Sequence, residues 1–95
     1  MEDARLLRAE VVIGGRVQGV WFRSATRETA QALGLAGYVR NLPDGRVQAV
    51  FEGAGRSVRS MVTWCHKGPR MAEVAGVEVA WLPPTGEFTG FSVRY

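Results

Sequence analysis

The chain has 95 residues, a length typical of one domain with a single two-layer core. Hydrophobic residues make up 46% and charged residues 22%, proportions that exclude disordered, collagen-like and coiled-coil chains. No apolar run approaches the roughly 20 residues of a membrane-spanning helix, and the acidic start, Met1-Glu2-Asp3, lacks the apolar segment of a secretory signal. One cysteine (Cys65) and one histidine (His66) allow neither an internal disulfide nor a zinc site built from these residue types. These observations favour one cytoplasmic domain, residues 1–95, with no membrane association.

The excess positive charge is confined to one third of the chain. The net charge is +3, and residues 14–46, with five arginines and two acidic residues, account for all of it. Nearly all basic residues are arginine, whose planar guanidinium binds a carboxylate or phosphate in bidentate fashion. This stretch is therefore either a solvated basic face or a site for an anion.

The first third of the chain predicts a strand, a glycine-bounded loop and a helix. The β-branched run within residues 8–13 predicts the strand, and Gly14-Gly15 and Gly19 then bracket a short loop, Arg16-Val17-Gln18. A helix is expected from about residue 22 to residue 33. Its inward face should carry apolar or small side chains at helical spacing: Phe22, Ala25, Thr29, Ala32 and Leu33.

A hairpin is predicted next. Residues 37–41 and 46–52 both have strand character, and Leu42-Pro43-Asp44-Gly45 between them is a strong turn signal because Asp-Gly tolerates positive φ. The alternation in the second of these strands predicts that Val47, Ala49 and Phe51 face inward.

The rest of the chain predicts a second helix and two more strands. The helix, from about residue 57 to 67, has an apolar stripe at Val58, Met61, Val62 and Cys65. Residues 77–81 and 91–95 predict a strand and a short closing strand. The order βαββαβ, with a short extra C-terminal strand, indicates an α+β fold: a ferredoxin-like sandwich with two helices packed on one face of an antiparallel sheet.

The loop before the first helix is the best candidate for binding an anion. Gly15 and Gly19 allow the backbone to approach a ligand closely, and the loop N–H groups can form a concave nest in front of the helix N-terminus. Arg23 falls in the first helical turn, where the helix dipole disfavours a cation. Arg23 is therefore either a ligand for an anion in front of it or a solvated surface residue.

Asn41 ends the second strand, beside the turn. Its amide is both donor and acceptor, so it can hold a water molecule in a fixed orientation. An Asn in this position also commonly bonds to nearby backbone groups. From the residue alone both interpretations stay open.

Nine consecutive residues, Gly15-Arg16-Val17-Gln18-Gly19-Val20-Trp21-Phe22-Arg23, resemble the acylphosphatase signature Gly-x-Val-Gln-Gly-Val-x-Phe-Arg. Residues 33–41, followed by Asp44-Gly45-Arg46-Val47, are similar to the second conserved block of that family. Gly68-Pro69 and Phe91-Ser92-Val93-Arg94 also match its pattern, so the resemblance covers nearly the whole chain.

The resemblance implies an enzyme that hydrolyses the carboxyl–phosphate bond of acyl phosphates to a carboxylate and inorganic phosphate, without metal or cofactor. It implies that Arg23 and Asn41 are catalytic, with Asn41 positioning the attacking water. The phosphoryl group would be bound by Arg23 together with the backbone N–H groups of Arg16, Val17, Gln18, Gly19 and Val20. Tyr38 and Gln48 stand where Trp and Glu are common in the family, and neither is a catalytic position.

The alternative is a non-catalytic anion- or RNA-binding module with the same fold. RNA-recognition domains of this type need exposed aromatic residues on the central strands. The first strand here has none, and Phe51 on the third is expected to face inward. Arg23 and Asn41 together favour the enzyme, because a module that only binds an anion has no use for a water-holding amide. We therefore expect a monomer that acts on a small acyl phosphate and binds no nucleic acid.

The remaining reactive or aromatic residues are expected to be structural. Cys65 and Arg70 are separated by four residues instead of the five in Cys-dependent phosphatases, so Cys65 should be a packed thiol. Trp21, Trp64 and Trp81 are expected to pack, although the position of Trp21 in the loop could place it at the mouth of the site.

Overall fold

The computed structural model describes residues 5–95; the acidic start at residues 1–3, on which the expectation of no secretory signal depends, lies outside them. Five strands form one sheet in the order β4-β1-β3-β2-β5, and two helices pack against it. The elements are β1 (Leu6–Arg16), α1 (Phe22–Ala32), β2 (Ala36–Asn41), β3 (Val47–Ala54), α2 (Gly55–Lys67), β4 (Glu73–Leu82) and β5 (Phe91–Arg94). This α+β, ferredoxin-like architecture confirms the predicted fold class. Neither helix within residues 5–95 has the length and apolar character needed to cross a membrane.

The sheet differs from the prediction in the direction of its last strand. Neighbouring strands among β1 to β4 pair antiparallel, but β5 pairs parallel with β2, with Val93 beside Val39. The chain leaves β4 at one edge of the sheet and returns at the other edge, where it runs in the same direction as β2. As a consequence, the C-terminal ends of β2 and β5 lie side by side.

The strands β1 and β4 are longer than the sequence predicts. The loop is predicted to begin directly after Gly14-Gly15, but β1 continues through both glycines to Arg16. A register shift between these glycines lets pairing with β4 continue as far as Arg16 and Glu73. Gly15 has φ of 118°, and a Cβ there would lie 2.2 Å from the carbonyl oxygen of Glu73. The glycines therefore serve a β-bulge with a close approach between strands, a role that a local pattern does not separate from a loop.

The predicted inward faces of β3 and α2 are confirmed, and β1 buries alternate residues against the same core. The fully or nearly fully buried residues include Ala9, Val11, Ile13, Val47, Ala49, Phe51, Val58, Met61, Val62 and Cys65. Cys65 is completely buried in the core, which confirms the expectation of a packed thiol, and this burial raises the pKa of the thiol to about 12.

The predicted inward face of α1 is only partly correct. Phe22 is buried as expected, but the other buried residues are Thr26 and Ala30. Of the remaining predicted residues, Ala32 is exposed and the others are half-buried: Ala25, Thr29 and Leu33. The hydroxyl of Thr26 donates to the carbonyl oxygen of Phe22 at 2.7 Å, so a polar residue can face the core at no hydrogen-bonding cost.

A charged cluster attaches the β4–β5 connection to the helix-free face of the sheet. Arg8 donates to the Glu52 carboxylate at 2.8 Å across the β1–β3 pair. Glu52 also accepts from the backbone N–H groups of Thr85 at 2.9 Å and Gly86 at 3.1 Å. Because Glu52 is almost completely buried, these bonds replace the water that its carboxylate gives up on folding.

The ionised Glu52 carboxylate of this cluster should make the free energy of unfolding depend on pH. Burial alone would raise the pKa of Glu52, but the hydrogen bonds from Thr85, Arg8 and Gly86 outweigh it and lower that pKa from 4.5 to about 2. Such a carboxylate stabilises the fold above its unfolded-state pKa, and the contribution disappears as pH falls from about 4.5 to about 2. We expect Glu52→Gln to lower the free energy of unfolding at pH 7 by on the order of 2 kcal/mol and to flatten its decline between these two pH values.

Urea unfolding at a series of pH values measures both effects. Glu78→Gln is the matched control, because the Glu78 side chain is 81% exposed and its ion pair with Arg46 is long, at 3.8 Å. A Glu52→Gln variant that retained the full acid dependence of the wild type would contradict this account.

Candidate active site

The loop between β1 and α1, residues 17–21, is fixed from two sides. Val17 is completely buried and Val20 nearly so, and both side chains belong to the core. From the other side, Gln18 Nε2 donates to the carbonyl oxygens of Leu42 at 2.8 Å and Arg46 at 2.9 Å. Because these two carbonyls belong to the connection between β2 and β3, the loop and that connection are held together.

The β2–β3 connection forms the turn that Asp44-Gly45 predicted, and hydrogen bonds within residues 42–46 stabilise it. Leu42 N–H donates to the Arg46 carbonyl at 2.8 Å, and Gly45 N–H donates to the Leu42 carbonyl at 3.1 Å. The Asp44 carboxylate accepts from the backbone N–H of Arg46 at 3.0 Å and from its Nε at 2.8 Å. The chain immediately after Asn41 therefore has a defined path.

The N-terminus of α1 follows the loop directly and attracts negative charge. The helix begins with a hydrogen bond from Ala25 N–H to the Trp21 carbonyl at 3.0 Å. The N–H groups of residues 22–24 have no partner within the helix, and the first turn contains no acidic residue. Unpaired N–H groups and the positive end of the helix dipole make this a favourable place for an anion.

A cavity of about 270 Å³ lies where the loop, the start of α1 and the ends of β2 and β5 meet. Its lining comes from the loop (Val17, Gly19, Trp21), the first turn of α1 (residues 22–24) and the strand ends (Asn41, Val93, Tyr95). Arg23, Asn41 and Tyr95 also line a second cavity of about 380 Å³. The structure thus brings together the two residues predicted to be catalytic, Arg23 and Asn41.

The position of Asn41 follows from strand alternation. Val39, two residues earlier, is fully buried in the core beneath the helices, so Asn41 projects toward the same side of β2. Arg40 projects toward the opposite side, where its Nε donates to Gln48 Oε1 at 2.6 Å. A shift of one residue in β2 would exchange these two side chains and remove the amide from the cavity.

Tyr95 is a residue of the site that the sequence did not predict. The guanidinium carbon of Arg23 lies 4.7 Å from the centroid of the Tyr95 ring, a cation–π contact at the wall of both cavities. Tyr95 reaches Arg23 only because β5 pairs parallel with β2, and no local pattern signals that pairing. Ser24 and Val93 also line the cavity without having been predicted.

Three of the residues predicted to bind phosphate through the backbone do not line this cavity: Arg16, Gln18 and Val20. Arg16 is exposed at the end of β1, opposite Glu73. The side chain of Gln18 ties the loop to the turn, and that of Val20 packs in the core. Val17 and Gly19 do line the cavity. Phosphate binding by the N–H groups of residues 16–20 stays a prediction.

The tryptophans differ from the expectation that all three pack. Trp64 does pack: it is half-buried, and the centroid of its ring lies 5.6 Å from that of the Phe22 ring. Trp81 lies on the edge strand β4 and is half exposed, and Trp21 is 79% exposed and lines the cavity. The packing expectation was wrong for Trp81, which the edge strand holds outside the core. For Trp21 the structure shows the other possibility that the sequence left open, a place at the mouth of the site.

The described part of the chain, residues 5–95, contains no cluster of three or more His, Cys, Asp or Glu side chains arranged to hold a metal ion. The one charged side chain in the lining of the first cavity belongs to Arg23. The site can therefore bind an anion through a guanidinium and backbone N–H groups and can orient a small molecule through the Asn41 amide.

A sequence model of the acylphosphatase family matches residues 9–93. The chain belongs to the acylphosphatase family. An acylphosphatase of Rubrobacter xylanophilus is 57% identical over 99% of this chain and 86% of its own length. One of Roseiflexus sp. is 54% identical, over 93% of this chain and 95% of its own. The crystal structure of acylphosphatase from Bacillus subtilis superimposes with a TM-score of 0.90 at 32% identity, covering 94% of this chain and 99% of that one. The prediction of an enzyme, an acylphosphatase, is confirmed.

The two hydrogen bonds of Gln18 predict that substitutions at this residue lower the stability of the fold. We expect Gln18→Ala to lower the free energy of unfolding by about 1 to 2 kcal/mol, because two hydrogen bonds to the β2–β3 connection are lost, one of them partly buried and one exposed. Gln18→Glu should cost more, because a carboxylate would face two carbonyl oxygens with no donor between them. Urea unfolding at pH 7 measures both.

Gln48→Glu is the matched control for this pair. Gln48 Oε1 already accepts a hydrogen bond from Arg40, and a carboxylate would accept the same bond. If Gln18→Glu were as stable as Gln48→Glu, the two hydrogen bonds of Gln18 would not hold the loop to the β2–β3 connection as described.

Proposed function

We propose that this acylphosphatase holds the phosphoryl group of its substrate between Arg23 and the N–H groups before and at the start of α1, while Asn41 orients the water that attacks phosphorus. The observation that carries the proposal is that Arg23 and Asn41, on different elements, line the same two cavities. The expected substrate is a small acyl phosphate, and we expect the protein to act as a monomer without nucleic acid.

Binding of the phosphoryl group would combine three sources of positive potential. Arg23 offers a planar fork that matches two phosphoryl oxygens. The unpaired N–H groups of the first turn of α1 and the helix dipole act on the same volume. The glycine-bounded loop adds backbone N–H groups, and Val17 and Gly19 of that loop line the cavity. Such preorganised donors stabilise the charge that spreads over the phosphoryl oxygens during transfer.

The amide of Asn41 supplies the geometry of attack. Its carbonyl oxygen can accept a hydrogen bond from a water molecule and its NH₂ group can donate one, which fixes the direction of the water lone pair. The water oxygen then bonds to phosphorus, and the bond from phosphorus to the acyl oxygen breaks with its electron pair on the departing carboxylate. A phosphoryl oxygen accepts the proton of the water. A carboxylate is a weak base at neutral pH, so the leaving group needs no protonation.

Two side chains that serve other phosphatases as nucleophile or proton donor stand outside this mechanism. The Cys65 thiol is buried on α2 with its pKa raised to about 12, so it is not available as a thiolate. His66 is exposed near the end of α2 and bonds through Nδ1 to the Val62 carbonyl at 3.0 Å. Positioning and charge stabilisation therefore provide the catalysis in this proposal.

The non-catalytic alternative has less support. Phe51, the aromatic residue of β3, is fully buried in the core, so it offers no ring for stacking a base. On the helix-free face, Tyr38 is only half-buried, but the guanidinium carbon of Arg94 lies 3.8 Å from its ring centroid. The Phe88 ring packs against it in an edge-to-face arrangement, with 5.8 Å between the ring centroids. Neither ring resembles a free stacking platform.

Kinetics of two variants test the assigned roles. We expect Arg23→Lys to lower kcat/KM for benzoyl phosphate roughly 100-fold and to weaken competitive inhibition by inorganic phosphate, because lysine keeps the charge but loses the bidentate fork. Asn41→Ala should lower kcat by roughly 100-fold while inhibition by phosphate changes little, because the amide acts on the water and not on the anion.

Arg27→Lys is the matched control for Arg23→Lys: it makes the same change one helical turn later, outside the lining of both cavities. An Arg23→Lys enzyme with normal kcat/KM would contradict the bidentate role. An Asn41→Ala enzyme that lost phosphate inhibition but kept its kcat would contradict the role of Asn41 in holding the water.

A further inference from the structure

Trp21 has a backbone conformation that its residue type disfavours. It is the N-cap of α1 with φ 64° and ψ 22°, and it is the one non-glycine residue with positive φ among residues 5–95. The left-handed region is unfavourable for an L-residue because Cβ crowds the following carbonyl. Gly or Asn would occupy this position with less strain. A bulky residue here calls for an explanation beyond the local backbone.

The indole does not compensate for this strain through packing in the free protein. It is 79% exposed, and it makes no side-chain capping bond to α1. The aromatic pairs within residues 5–95 join Phe22 to Trp64, Tyr38 to Phe88 and Phe51 to Phe91, and Trp21 belongs to none of them. Strain at a residue that contributes little to the fold points to a role in binding.

The surroundings of Trp21 indicate what it would bind. It lines the same cavity as Arg23 and Asn41, together with the apolar side chain of Val93 and the ring of Tyr95. An acyl phosphate held at Arg23 by its phosphoryl group must direct its acyl group toward other parts of this lining. The volume of about 270 Å³ approaches that of pockets for whole small molecules and exceeds what the phosphoryl group alone needs.

We propose that Trp21 is a specificity-determining residue whose indole contacts the acyl group, so that the enzyme favours aromatic and extended apolar acyl phosphates over acetyl phosphate. This inference rests on the proposed function. The contact would form in the Michaelis complex and persist in the transition state, so it should act mainly through KM. Contact between aromatic rings adds to the burial of apolar surface, and hydrophobic discrimination of this kind commonly reaches about 10-fold or more.

The test compares kcat/KM for benzoyl phosphate and acetyl phosphate in the wild type, Trp21→Asn and Trp21→Phe. Asn removes the indole yet tolerates the left-handed backbone, so a loss of folding is not expected, and the melting temperature checks it. We expect the benzoyl-to-acetyl ratio to fall about 10-fold in Trp21→Asn, mostly through KM for benzoyl phosphate. Trp21→Phe should keep most of the ratio, because it keeps an aromatic face.

Trp81→Ala is the control, since Trp81 is a half-exposed tryptophan that does not line the cavity; it should leave the ratio unchanged. Hydrolysis of both substrates with the same ratio in wild type and Trp21→Asn would overturn the role of Trp21 and leave the proposed function standing. An equal fall of the ratio in Trp81→Ala would overturn it as well. A wild-type protein that hydrolysed neither substrate would overturn the proposed function itself, and this inference with it.

Discussion

The two hydrogen bonds from Gln18 to the Leu42 and Arg46 carbonyls tie the loop before α1 to the β2–β3 connection. Burial of the valine side chains on either side of Gln18 fixes the same loop against the core. Since α1 starts where the loop ends and Asn41 stands just before the connection, this tie holds the N-terminus of α1 near the Asn41 amide. Catalysis by positioning tolerates little displacement. The Gln18 side chain, which does not line the cavity, thus helps to hold together the two segments that form it.

Arg23 shows how an anion changes the electrostatics of this helix end. In the free protein its charge opposes the dipole of α1, a penalty of roughly 0.3 to 1 kcal/mol for a cation in the first turn. The exposed ring of Tyr95 makes a cation–π contact with the guanidinium at the cavity wall, which offsets part of this penalty. Once a phosphoryl group is bound, the dipole and the guanidinium attract the same charge. In the proposed complex, the bound phosphoryl group would therefore relieve the unfavourable placement of Arg23.

The sequence predicted what local patterns determine and missed what long-range pairing determines. The apolar stripe of α2, the alternation of β3 and the Asp44-Gly45 turn each follow from neighbouring residues, and all three are confirmed. Gly14-Gly15 carried the same signal as a loop, and only the partner strand β4 shows that these glycines continue β1 through a bulge. The entry of Tyr95 into the site depends on parallel pairing between strands far apart in sequence. Arg23 and Asn41 could be identified because a nine-residue signature and a second block marked them, whereas the exposure of Trp21 depends on a backbone conformation that its residue type does not predict.

The helix-free face of the sheet also contributes to the site, although it lies on the other side of the strands. Arg8 and the backbone of Thr85 and Gly86 converge on the buried carboxylate of Glu52, which attaches the β4–β5 connection to the middle of the sheet. That connection leads the chain across to the far edge, where β5 joins β2 in parallel register. The register then places Val93 and Tyr95 in the wall of the cavity, next to Asn41. A largely buried ion pair outside the cavity therefore supports the route by which Val93 and Tyr95 reach the cavity wall.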